Sequence, residues 1–431
     1  MYRKIISFLE EWKNSPYRKP LILQGARQVG KTYSILEFGR THYDNVAYFN
    51  FETNPKLNET FEESISPDYL IPILSHIAGQ TIVKEETLIV FDEVQLCERA
   101  LTSLKYFCED AHEYHIIVAG SLLGVAVNRT KFSFPVGKVD MKTLYPMDME
   151  EFMLALGEDE LVKQIKNCFR TDTPMPAALH DAAMDLYRQY LVTGGMPECV
   201  MQFAQTKDYI LVRHTQDTIL ASSLNDMSKY NNLNELKKTR LVYDNVTVQL
   251  SKRNTRFQYK LIKKGGRASE FENATEWLCL SGIVSQVYKV EQIRKPLENY
   301  RDIDAFKIYV SDLGLLCAKK DLPAADILYM SDELNDFKGG MAENYVNVQL
   351  TINGYNTYYW ESDRGAEIDF VIQRDGQIIP IEVKSADNTR AKSLKVYMDT
   401  YKPAYAIKLS TKNFGFDDHK KIVPLYAAFC I

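Results

Sequence analysis

Residues 19–32 carry the glycine, lysine and threonine spacing that is typical of loops that bind nucleotide phosphates. Gly25 is followed by four residues and then by Gly30, Lys31 and Thr32. Glycines let the backbone curl so that successive N–H groups point at phosphate oxygens. In such a loop the lysine places a cation at the β- and γ-phosphates, and the hydroxyl beside it binds Mg²⁺. The stretch therefore predicts a site for ATP and Mg²⁺.

The elements that flank this loop are those that a phosphate-binding loop requires. An apolar run at 21–23 indicates a buried strand before it, and apolar residues at helical spacing follow from 35 to 38. A chance glycine loop ahead of a helix is the alternative. The residues expected to contact the nucleotide are Gly25, Ala26, Arg27, Gln28, Val29, Gly30, Lys31, Thr32 and Tyr33.

An acidic motif lies at the end of a second apolar run, within residues 87–95. We expect Asp92 to hold Mg²⁺ through water and Glu93 to polarise the attacking water. An acid pair at the end of a buried strand costs stability without a partner, so a solvated acidic face is the weaker interpretation. Ser121 follows the next apolar run, where it is either a sensor of the γ-phosphate or a turn serine.

Residues 361–384 hold the other group of side chains that could do chemistry. Asp375-Gly376 favours a two-residue type I′ turn, which fixes the register of the two strands that it joins. In that register Asp369 lies opposite Glu382, and Lys384 follows on the same face. The other face is wholly apolar and predicts core, with Ile368, Phe370, Ile372, Ile379, Ile381 and Val383.

Two carboxylates that face each other beside a lysine are what a divalent-metal site needs, with Mg²⁺ or Mn²⁺ held by the acids. The lysine could orient a water or stabilise charge at a scissile phosphate. Glu343, on a helix expected over 341–351, could join this site. Two alternatives stay open. The face is an exposed charged surface that Lys384 neutralises, or the register slips by one residue, because Pro380 favours an edge strand or a bulge.

The elements that position these residues alternate between strands and helices up to about residue 145. Strands are expected near 20–24, 45–51, 87–92 and 115–119, which indicates an α/β fold with a mostly parallel sheet. The glycine loop and the acid pair then fall at the carboxyl ends of strands, where open α/β sheets bind ligands.

The rest of the chain is expected to form three further segments. Residues 148–215 read as a helical lid, interrupted at 194–197 by Gly-Gly-Met-Pro. Residues 216–330 read as an α-rich unit whose order of helices and strand is compatible with a winged helix. The final segment is 331–431, and the first domain is expected to span 1–147.

The composition is that of an ordinary globular protein, with 431 residues of which 45% are hydrophobic and 25% charged. No apolar run reaches the roughly 18 residues that span a bilayer, so no membrane association is expected. The seven cysteines form no CxxC pair and predict reduced thiols in a cytoplasmic protein. The N-terminal residues 1–13 read as an amphipathic helix rather than a signal peptide.

Charge is distributed unevenly along a chain whose net charge is −5. The stretch 229–267 has eleven Lys or Arg against two acids, a net charge of +9, which leaves −14 for the remainder. Such a stretch predicts an anionic partner such as a nucleic acid, and a solvated basic face is the alternative. The helix expected over 269–280 carries three glutamates that phosphate would repel, so backbone contact, or a scaffold role without DNA, is favoured over sequence reading.

Together these motifs resemble a family of bacterial and archaeal AAA-type ATPases that carry a C-terminal domain of unknown function. The resemblance covers nearly the whole chain. Its motifs are Gly25-Ala-Arg-Gln-Val-Gly-Lys-Thr32, Phe91-Asp-Glu-Val-Gln95, Tyr190-Leu-Val-Thr-Gly-Gly-Met-Pro-Glu198, Ile308-Tyr-Val-Ser-Asp-Leu-Gly314, and Ala366-Glu-Ile-Asp-Phe-Val with Ile381-Glu-Val-Lys384.

The resemblance implies a P-loop ATPase core, a helical lid, a winged-helix-like segment and a restriction-endonuclease-like α/β domain similar to PD-(D/E)XK nucleases. In that nuclease pattern Asp369 and Glu382 match the metal-binding acids, Lys384 the lysine and Glu343 the helix acid. Relatives commonly show Gly-Arg where this chain has Gly137-Lys138. A lysine keeps the charge of an arginine but loses its planar fork. Arg129 is a candidate arginine finger.

Three functions are therefore expectations at this point. The first is an ATPase, with Lys31 and Glu93 in catalysis, whose nucleotide state drives a C-terminal module that cuts nucleic acid with Asp369, Glu382 and Lys384. The second is a nucleotide-dependent switch whose inactive nuclease-like domain recognises a protein or a nucleic acid. The third is a chaperone-like remodeller that works as a ring and predicts ATP-dependent hexamers.

Overall fold

A computed structural model of the chain describes residues 1–120, 134–230, 233–250, 256–385 and 392–431. These residues form two compact units. The N-terminal unit is Arg3–Tyr145 with Leu280–Gly282, and the C-terminal unit is Pro146–Cys279 and Ile283–Ile431 with Met1–Tyr2. Ser121 and Arg129 lie outside the described residues.

The N-terminal unit contains a five-stranded sheet in the order β2-β3-β4-β1-β5, and all its neighbouring strands are parallel. The four expected strands are confirmed, and a fifth is added. The strands are β1 Leu21–Gln24, β2 Asn45–Asn50, β3 Thr87–Asp92, β4 His115–Gly120 and β5 Asp140–Thr143. The helices are Ile5–Asn14, Lys31–His42, Leu57–Glu63, Pro67–Ala78 and Glu98–Asp110, with a 3₁₀ turn at Val94–Leu96.

Aromatic packing fixes the strand that carries the acid pair. Every residue of β3 is buried, as its continuous apolar run predicts for a central parallel strand. Phe91, directly before Asp92, lies 5.5 Å from Phe61 between ring centroids in an edge-to-face pair, and Phe49 and Phe51 pack on the same ring. The carboxylate at the end of β3 is therefore held by a rigid core.

The first half of the C-terminal unit is helical. The expected break at 194–197 is confirmed. Among the described helices, none combines the length and the apolar character that a bilayer crossing needs. The helices are Met149–Ala155, Asp159–Thr171, Ala177–Thr193, Pro197–Thr206, Tyr209–Tyr230, Leu233–Leu250, Ala268–Leu280, Leu313–Lys319, Ala324–Leu328, Asn335–Ile352 and Lys392–Tyr401, with 3₁₀ turns at Tyr259–Leu261, Leu297–Tyr300, Asp332–Leu334 and Leu425–Cys430.

The break between two of these helices is held by a buried aspartate. Asp312 accepts hydrogen bonds from the backbone N–H of Gly195 at 2.6 Å and of Leu315 at 2.8 Å, so it ties the glycine pair to the start of the helix Leu313–Lys319. A Cβ on Gly195 would lie 2.0 Å from the carbonyl oxygen of Met147, which explains the glycine. Two of the motifs noted in the sequence thus meet at one structural joint.

The second half of the C-terminal unit is an eight-stranded sheet in the order β12-β13-β11-β10-β9-β8-β6-β7. Because β6 pairs with β8, the boundary expected between 330 and 331 falls between strands of one sheet. The winged-helix interpretation stays a prediction. The strands are β6 Val284–Val290, β7 Arg301–Val310, β8 Tyr358–Glu361, β9 Glu367–Arg374, β10 Gln377–Val383, β11 Ala406–Ser410, β12 Gly415–Asp417 and β13 Lys420–Pro424.

The register expected from the Asp375-Gly376 turn is confirmed, because β9 and β10 pair from Arg374 with Gln377 through Phe370 with Ile381. The six residues expected to face the core are buried. Pro380 lies neither on an edge strand nor at a bulge. Its missing N–H is tolerated because the pairing of β10 with β11 begins one residue later, at Ile381.

Candidate functional site

The glycine loop follows β1 and ends at the helix Lys31–His42. Gly30 has φ +88° and Gly25 has φ +146°, values that glycine adopts at little cost. A Cβ on Gly25 would lie 2.1 Å from the carbonyl oxygen of Leu144, so the close approach of the two chains also requires glycine. In this arrangement the loop lies before a helix N-terminus, where backbone N–H groups are free to bind an anion.

Arg3, which the sequence motifs did not indicate, stabilises this loop from a position outside it. The guanidinium of Arg3, which is 4% exposed, donates to the carbonyl of Val29 at 2.9 Å and to that of Tyr145 at 2.8 Å. The predicted helix at 1–13 is observed as Ile5–Asn14, and Arg3 lies just before it. No local signal marks this contact, because Arg3 and Tyr145 are distant in the sequence.

Lys31 is turned onto its own loop. Its Nζ donates to the carbonyl oxygens of Gly25 at 2.9 Å and Ala26 at 2.8 Å. Burial lowers the pKa of Lys31 to about 8, although the charges of Glu93 and Asp92 act to raise it. Among the described residues, the amine thus has two neutral acceptors within hydrogen-bonding distance, and a phosphate would be a stronger partner.

Thr32 and Asp92 are brought together as a magnesium site requires. The Thr32 hydroxyl donates to Asp92 Oδ2 at 2.8 Å, and the Tyr48 hydroxyl donates to the same oxygen at 2.7 Å. A hydroxyl and a carboxylate side by side are oxygen ligands of the kind that Mg²⁺ prefers, so these residues fit the ion. Sequence reasoning missed Tyr48, whose place on the neighbouring strand β2 is set by the sheet order.

Glu93 follows Asp92 in a left-handed conformation with φ +52°. Its carboxylate accepts a hydrogen bond from the side-chain amide of Gln95, and its N–H donates to Asp92 Oδ1 at 3.0 Å. A non-glycine residue held at positive φ is uncommon and is frequent at functional sites. Tyr33 is 60% exposed and Gln28 is exposed, with φ +61°. Lys138, at the position where relatives carry arginine, forms an ion pair with Glu109 at 2.8 Å.

The second group of predicted residues lines a cleft of about 810 Å³ in the C-terminal unit. Asp369 comes from β9, Glu382 and Lys384 from the end of β10, and Glu343 from the helix Asn335–Ile352. The lining includes four carboxylates against two lysines, and Lys307, Tyr309 and Glu367 are the members that sequence reasoning missed.

Lys307 is a buried cation at the base of this cleft. Its side chain is 5% exposed, and its Nζ lies 2.6 Å from Glu367 Oε1 and 3.5 Å from Glu343 Oε2. Burial alone would lower its pKa, but Tyr309 and the surrounding carboxylates raise the pKa of Lys307 well above its usual value. Since Lys307 lies on β7, some sixty residues before β9, only the sheet topology reveals its place here.

The two predicted acids differ in their partners. Asp369 Oδ2 accepts the N–H of Val383 at 2.7 Å, and burial with the charges of Glu343 and Glu382 raises the pKa of Asp369 well above its usual value. Glu382 is 2% exposed, and burial raises its pKa as well. Its Oε1 lies 2.6 Å from Lys384 Nζ, while its Oε2 is buried and has no hydrogen-bond partner among the residues that the structure describes.

The fit of this cleft to a divalent metal is therefore incomplete. Glu382 Oε2 offers one unused ligand atom. However, the described residues contain no group of three His, Cys, Asp or Glu side chains that could hold a metal ion. Lys307 and Lys384 instead supply positive charge to the carboxylates. In this conformation the ion pairs of Lys307 and Lys384 stabilise the carboxylates of the cleft.

The described part of the basic stretch 229–267 is partly neutralised. Lys238 pairs with Glu235 at 2.9 Å and Lys263 with Glu270 at 3.2 Å. Lys237 and Arg240 are exposed on the helix Leu233–Leu250. Residues 231–232 and 251–255 lie outside the described ranges, so the outline of this surface is incomplete.

Family comparisons divide the chain into three parts. The model of a family described as an AAA domain matches residues 17–153. Two families described as domains of unknown function match the rest, DUF8612 over 184–326 and DUF4143 over 338–428. No curated protein matches the chain.

Solved structures resemble the chain at low identity. The ORC2 protein of Aeropyrum pernix in ADPNP–ADP complexes is 11% identical, with 77% of this chain and 93% of that chain covered and a TM-score of 0.36. The RuvB Holliday junction branch migration motor of Thermotoga maritima is 13% identical, with 68% and 88% covered and a TM-score of 0.30. Scores this low support no conclusion about what this chain binds.

The parallel sheet order, the glycine loop after β1 and the Thr32–Asp92 contact agree with the family match over 17–153. That fold implies a nucleotide and, usually, Mg²⁺ as its partners. The N-terminal unit of this protein is an AAA-type P-loop ATPase domain.

Proposed function

We propose that the protein binds ATP with Mg²⁺ at residues 25–33 and hydrolyses it. The observation that carries this proposal is the 2.8 Å contact between the Thr32 hydroxyl and Asp92 Oδ2, beside the buried amine of Lys31. Three groups that phosphoryl transfer needs, a cation, a hydroxyl and a carboxylate, thus lie at the carboxyl edge of one parallel sheet.

Each residue has a role in this proposal. Lys31 leaves the carbonyls of Gly25 and Ala26 and donates to the β- and γ-phosphates. Thr32 and Asp92 would hold Mg²⁺, which would supply positive charge at the phosphates. Glu93 accepts a proton from the attacking water while Gln95 fixes its carboxylate. Ser121 remains the proposed γ-phosphate sensor from the sequence.

Two variants test the ATPase assignment. Lys31→Ala should lose ATP binding in calorimetry with MgATP, because it removes the cation that the proposal places at the β- and γ-phosphates. Glu93→Gln should bind ATP but lose turnover by about 10² to 10⁴-fold, the contribution of a general base. Lys105→Ala, an exposed lysine of the same unit, is the control and should behave as wild type. ATP affinity in Lys31→Ala equal to that of wild type would overturn the proposal.

A second candidate function concerns the acid cleft. We propose that it cuts phosphodiester bonds of nucleic acid with Mg²⁺ or Mn²⁺, driven by the nucleotide state of the N-terminal unit. Asp369, Glu382 and Glu343 would have to move closer together to hold the metal, because the described residues contain no group of three acids placed to do so, and Lys384 would stabilise the negative charge of the transition state. The supporting observation is that all four line one cleft in which Glu382 Oε2 has no hydrogen-bond partner.

The rival proposal is a nucleotide-dependent switch whose cleft binds a protein or a nucleic acid without cutting it. The ion pairs of Lys307 and Lys384 support this rival, because they balance the acids without a metal. A ring-forming remodeller is the third proposal. ATP-dependent hexamers in light scattering would support it.

Degradation of plasmid and single-stranded DNA, with Mg²⁺ or Mn²⁺ and with or without ATP, separates cutting from switching. Cleavage that is lost in Asp369→Ala but kept in Asp375→Ala, an exposed turn residue, would establish the nuclease. Intact ATP turnover without cleavage under every condition would leave the switch.

A further inference from the structure

A second concave surface lies beside the acid cleft, on the last strands of the C-terminal unit. It has a volume of about 770 Å³ and is formed by the helix Lys392–Tyr401, the strands β11 and β13 and the turns that follow them. We call it the lysine groove. Its charged and polar lining residues are Lys395, Asp399, Lys402, Lys408, Lys412, Asp417, Asp418, His419 and Lys420.

The lysine groove carries an excess of positive charge. Five lysines face three aspartates, and one of these aspartates, Asp418, already pairs with Lys420 at 2.6 Å. Lys395, Lys402 and Lys412 are exposed, and none of the three forms an ion pair with another described residue.

Lys408 lies deepest among these lysines, on the strand β11, and is half-buried. Burial and then the charge of Lys412 lower its pKa, while the charge of Glu382 acts against them. The exposed lysines Lys395, Lys402 and Lys412 add their positive charges in the same groove, and such a cluster attracts anions. The groove therefore has the electrostatics of a surface that binds a polyanion.

The groove and the acid cleft share one face of the sheet. Glu382 on β10 is in register with Lys408 on β11, and Lys408 is in register with Ile422 on β13. Residues that pair across neighbouring strands project to the same face. Glu382 lines the acid cleft, while Lys408 and Ile422 line the lysine groove, so the two cavities lie on the same face of the sheet.

We infer that the lysine groove binds the phosphate backbone of a single strand of nucleic acid and leads that strand to the acid cleft. Lysines contact phosphates without reading bases, so the binding should be independent of sequence. The inference rests on the proposed second function at one point, because it takes the acid cleft as the place where the strand is cut. Binding in the groove requires no cleavage.

This inference moves the main nucleic-acid contact away from the basic stretch 229–267. The described lysines there are partly paired with acids, as Lys238 with Glu235 and Lys263 with Glu270. In the groove Lys402 and Lys412 are exposed, and Lys408 beside them is in register with Glu382 of the acid cleft. Two positive charges can be removed from either surface, which gives a matched pair of double variants.

The test measures binding of a fluorescein-labelled oligothymidylate to the full-length chain by anisotropy in EDTA, where no metal-dependent cleavage occurs. Lys402→Gln/Lys412→Gln should bind at least about tenfold more weakly than wild type. It should also reduce the slope of log affinity against log salt by about 1.4, from about 0.7 per lost phosphate contact. The matched control, Lys237→Gln/Arg240→Gln, should change affinity less than about twofold.

Three outcomes would overturn the inference. One is unchanged affinity in the groove variant while the control variant loses binding, because the backbone would then lie on 229–267. Another is absence of any binding to oligothymidylate by wild type. The last is binding of the groove to phosphatidylserine vesicles in place of oligothymidylate, which would make the partner a membrane surface. Circular dichroism melting of both variants confirms that they fold. Binding in EDTA together with no cleavage in the degradation assay with Mg²⁺ or Mn²⁺ would refute the nuclease alone.

Discussion

Two sites in this chain place buried lysines among acids, and they do so in opposite ways. In the P-loop of the N-terminal unit, Lys31 contacts only backbone carbonyls, and burial lowers its pKa to about 8. In the acid cleft, Lys307 and Lys384 contact carboxylates, and their pKa values are raised above the usual value. Lys31 has neutral hydrogen-bond acceptors, whereas carboxylates already neutralise the charges of Lys307 and Lys384.

The difference shows what each site can accept. A phosphate that approaches Lys31 replaces two neutral carbonyl acceptors, so a charge-assisted hydrogen bond is gained. An anion that approaches Lys307 or Lys384 has to compete with a carboxylate that is already paired. The P-loop is therefore prepared for an anionic ligand by itself, while the acid cleft needs a cation or a rearrangement before a phosphodiester can bind there.

The largest expected effect tests the structural role of the two buried lysines. Lys307→Met leaves Glu343 and Glu367 without their cation and should destabilise the C-terminal unit by about 3 kcal/mol, the low end for a broken buried pair, because both acids are partly exposed. Lys31→Met removes hydrogen bonds to carbonyls only and should cost about 1 kcal/mol. Urea unfolding followed by hydrogen exchange in each unit measures both losses. Equal losses would contradict the comparison.

A second test uses the pH dependence of the acid cleft. The pKa of Asp369 is raised in the folded chain, so the folded state binds more protons than the unfolded state, and stability is lost as pH rises through the folded pKa. Each unit of that difference is worth about 1.4 kcal/mol. Asp369→Asn keeps an acceptor for the Val383 N–H and should flatten the profile.

Hydrogen exchange of the β9 and β10 amides between about pH 5 and about pH 8 follows this local stability. The control is Asp375→Asn in the exposed turn, whose profile should match that of wild type. Parallel profiles for wild type and Asp369→Asn would show that the carboxyl of Asp369 is not destabilised by its surroundings.

The P-loop should show a pH dependence of the same sign, but in ligand affinity rather than in stability. Because the pKa of Lys31 is lowered to about 8, the amine loses its proton above that pH, and ATP affinity should fall by up to about tenfold per pH unit. Lys31→Arg stays protonated and should bind with an affinity that does not change over this range. Calorimetry with MgATP compares the two. The same slope in both proteins would mean that another group titrates.

The smallest effect concerns the two tyrosines that contact acids in these sites. Tyr48→Phe removes the 2.7 Å hydrogen bond to Asp92 and should raise the Mg²⁺ concentration for half-maximal ATP turnover about fivefold, the equivalent of about 1 kcal/mol. Tyr309→Phe removes the 3.1 Å bond to Glu343 and should leave ATP turnover unchanged. A change of ATP turnover in Tyr309→Phe would show that the two sites are coupled.

Local patterns predicted much of both sites. Continuous apolar runs located β1, β3 and β4, because central parallel strands are buried on both faces. The Asp375-Gly376 pair predicted the hairpin register that places Asp369 near Glu382. In each case the signal lies within a few residues of the structure that it determines.

Contacts between distant segments could not be predicted in this way. Arg3 reaches Tyr145, Tyr48 reaches Asp92, and Lys307 reaches Glu367, and each partner is fixed by the order of strands or by the path of the chain. No single sequence shows that β6 pairs with β8, which brings β6 and β7 into the sheet of the acid cleft.

The position of Lys307 also bears on how this chain is inherited. It lies within the segment matched by DUF8612, while the four acids around the cleft lie within the segment matched by DUF4143. A recombination that exchanged one segment without the other would separate the buried cation from its counter-charges. Residues 184–326 and 338–428 should therefore be inherited together, although two separate family models match them.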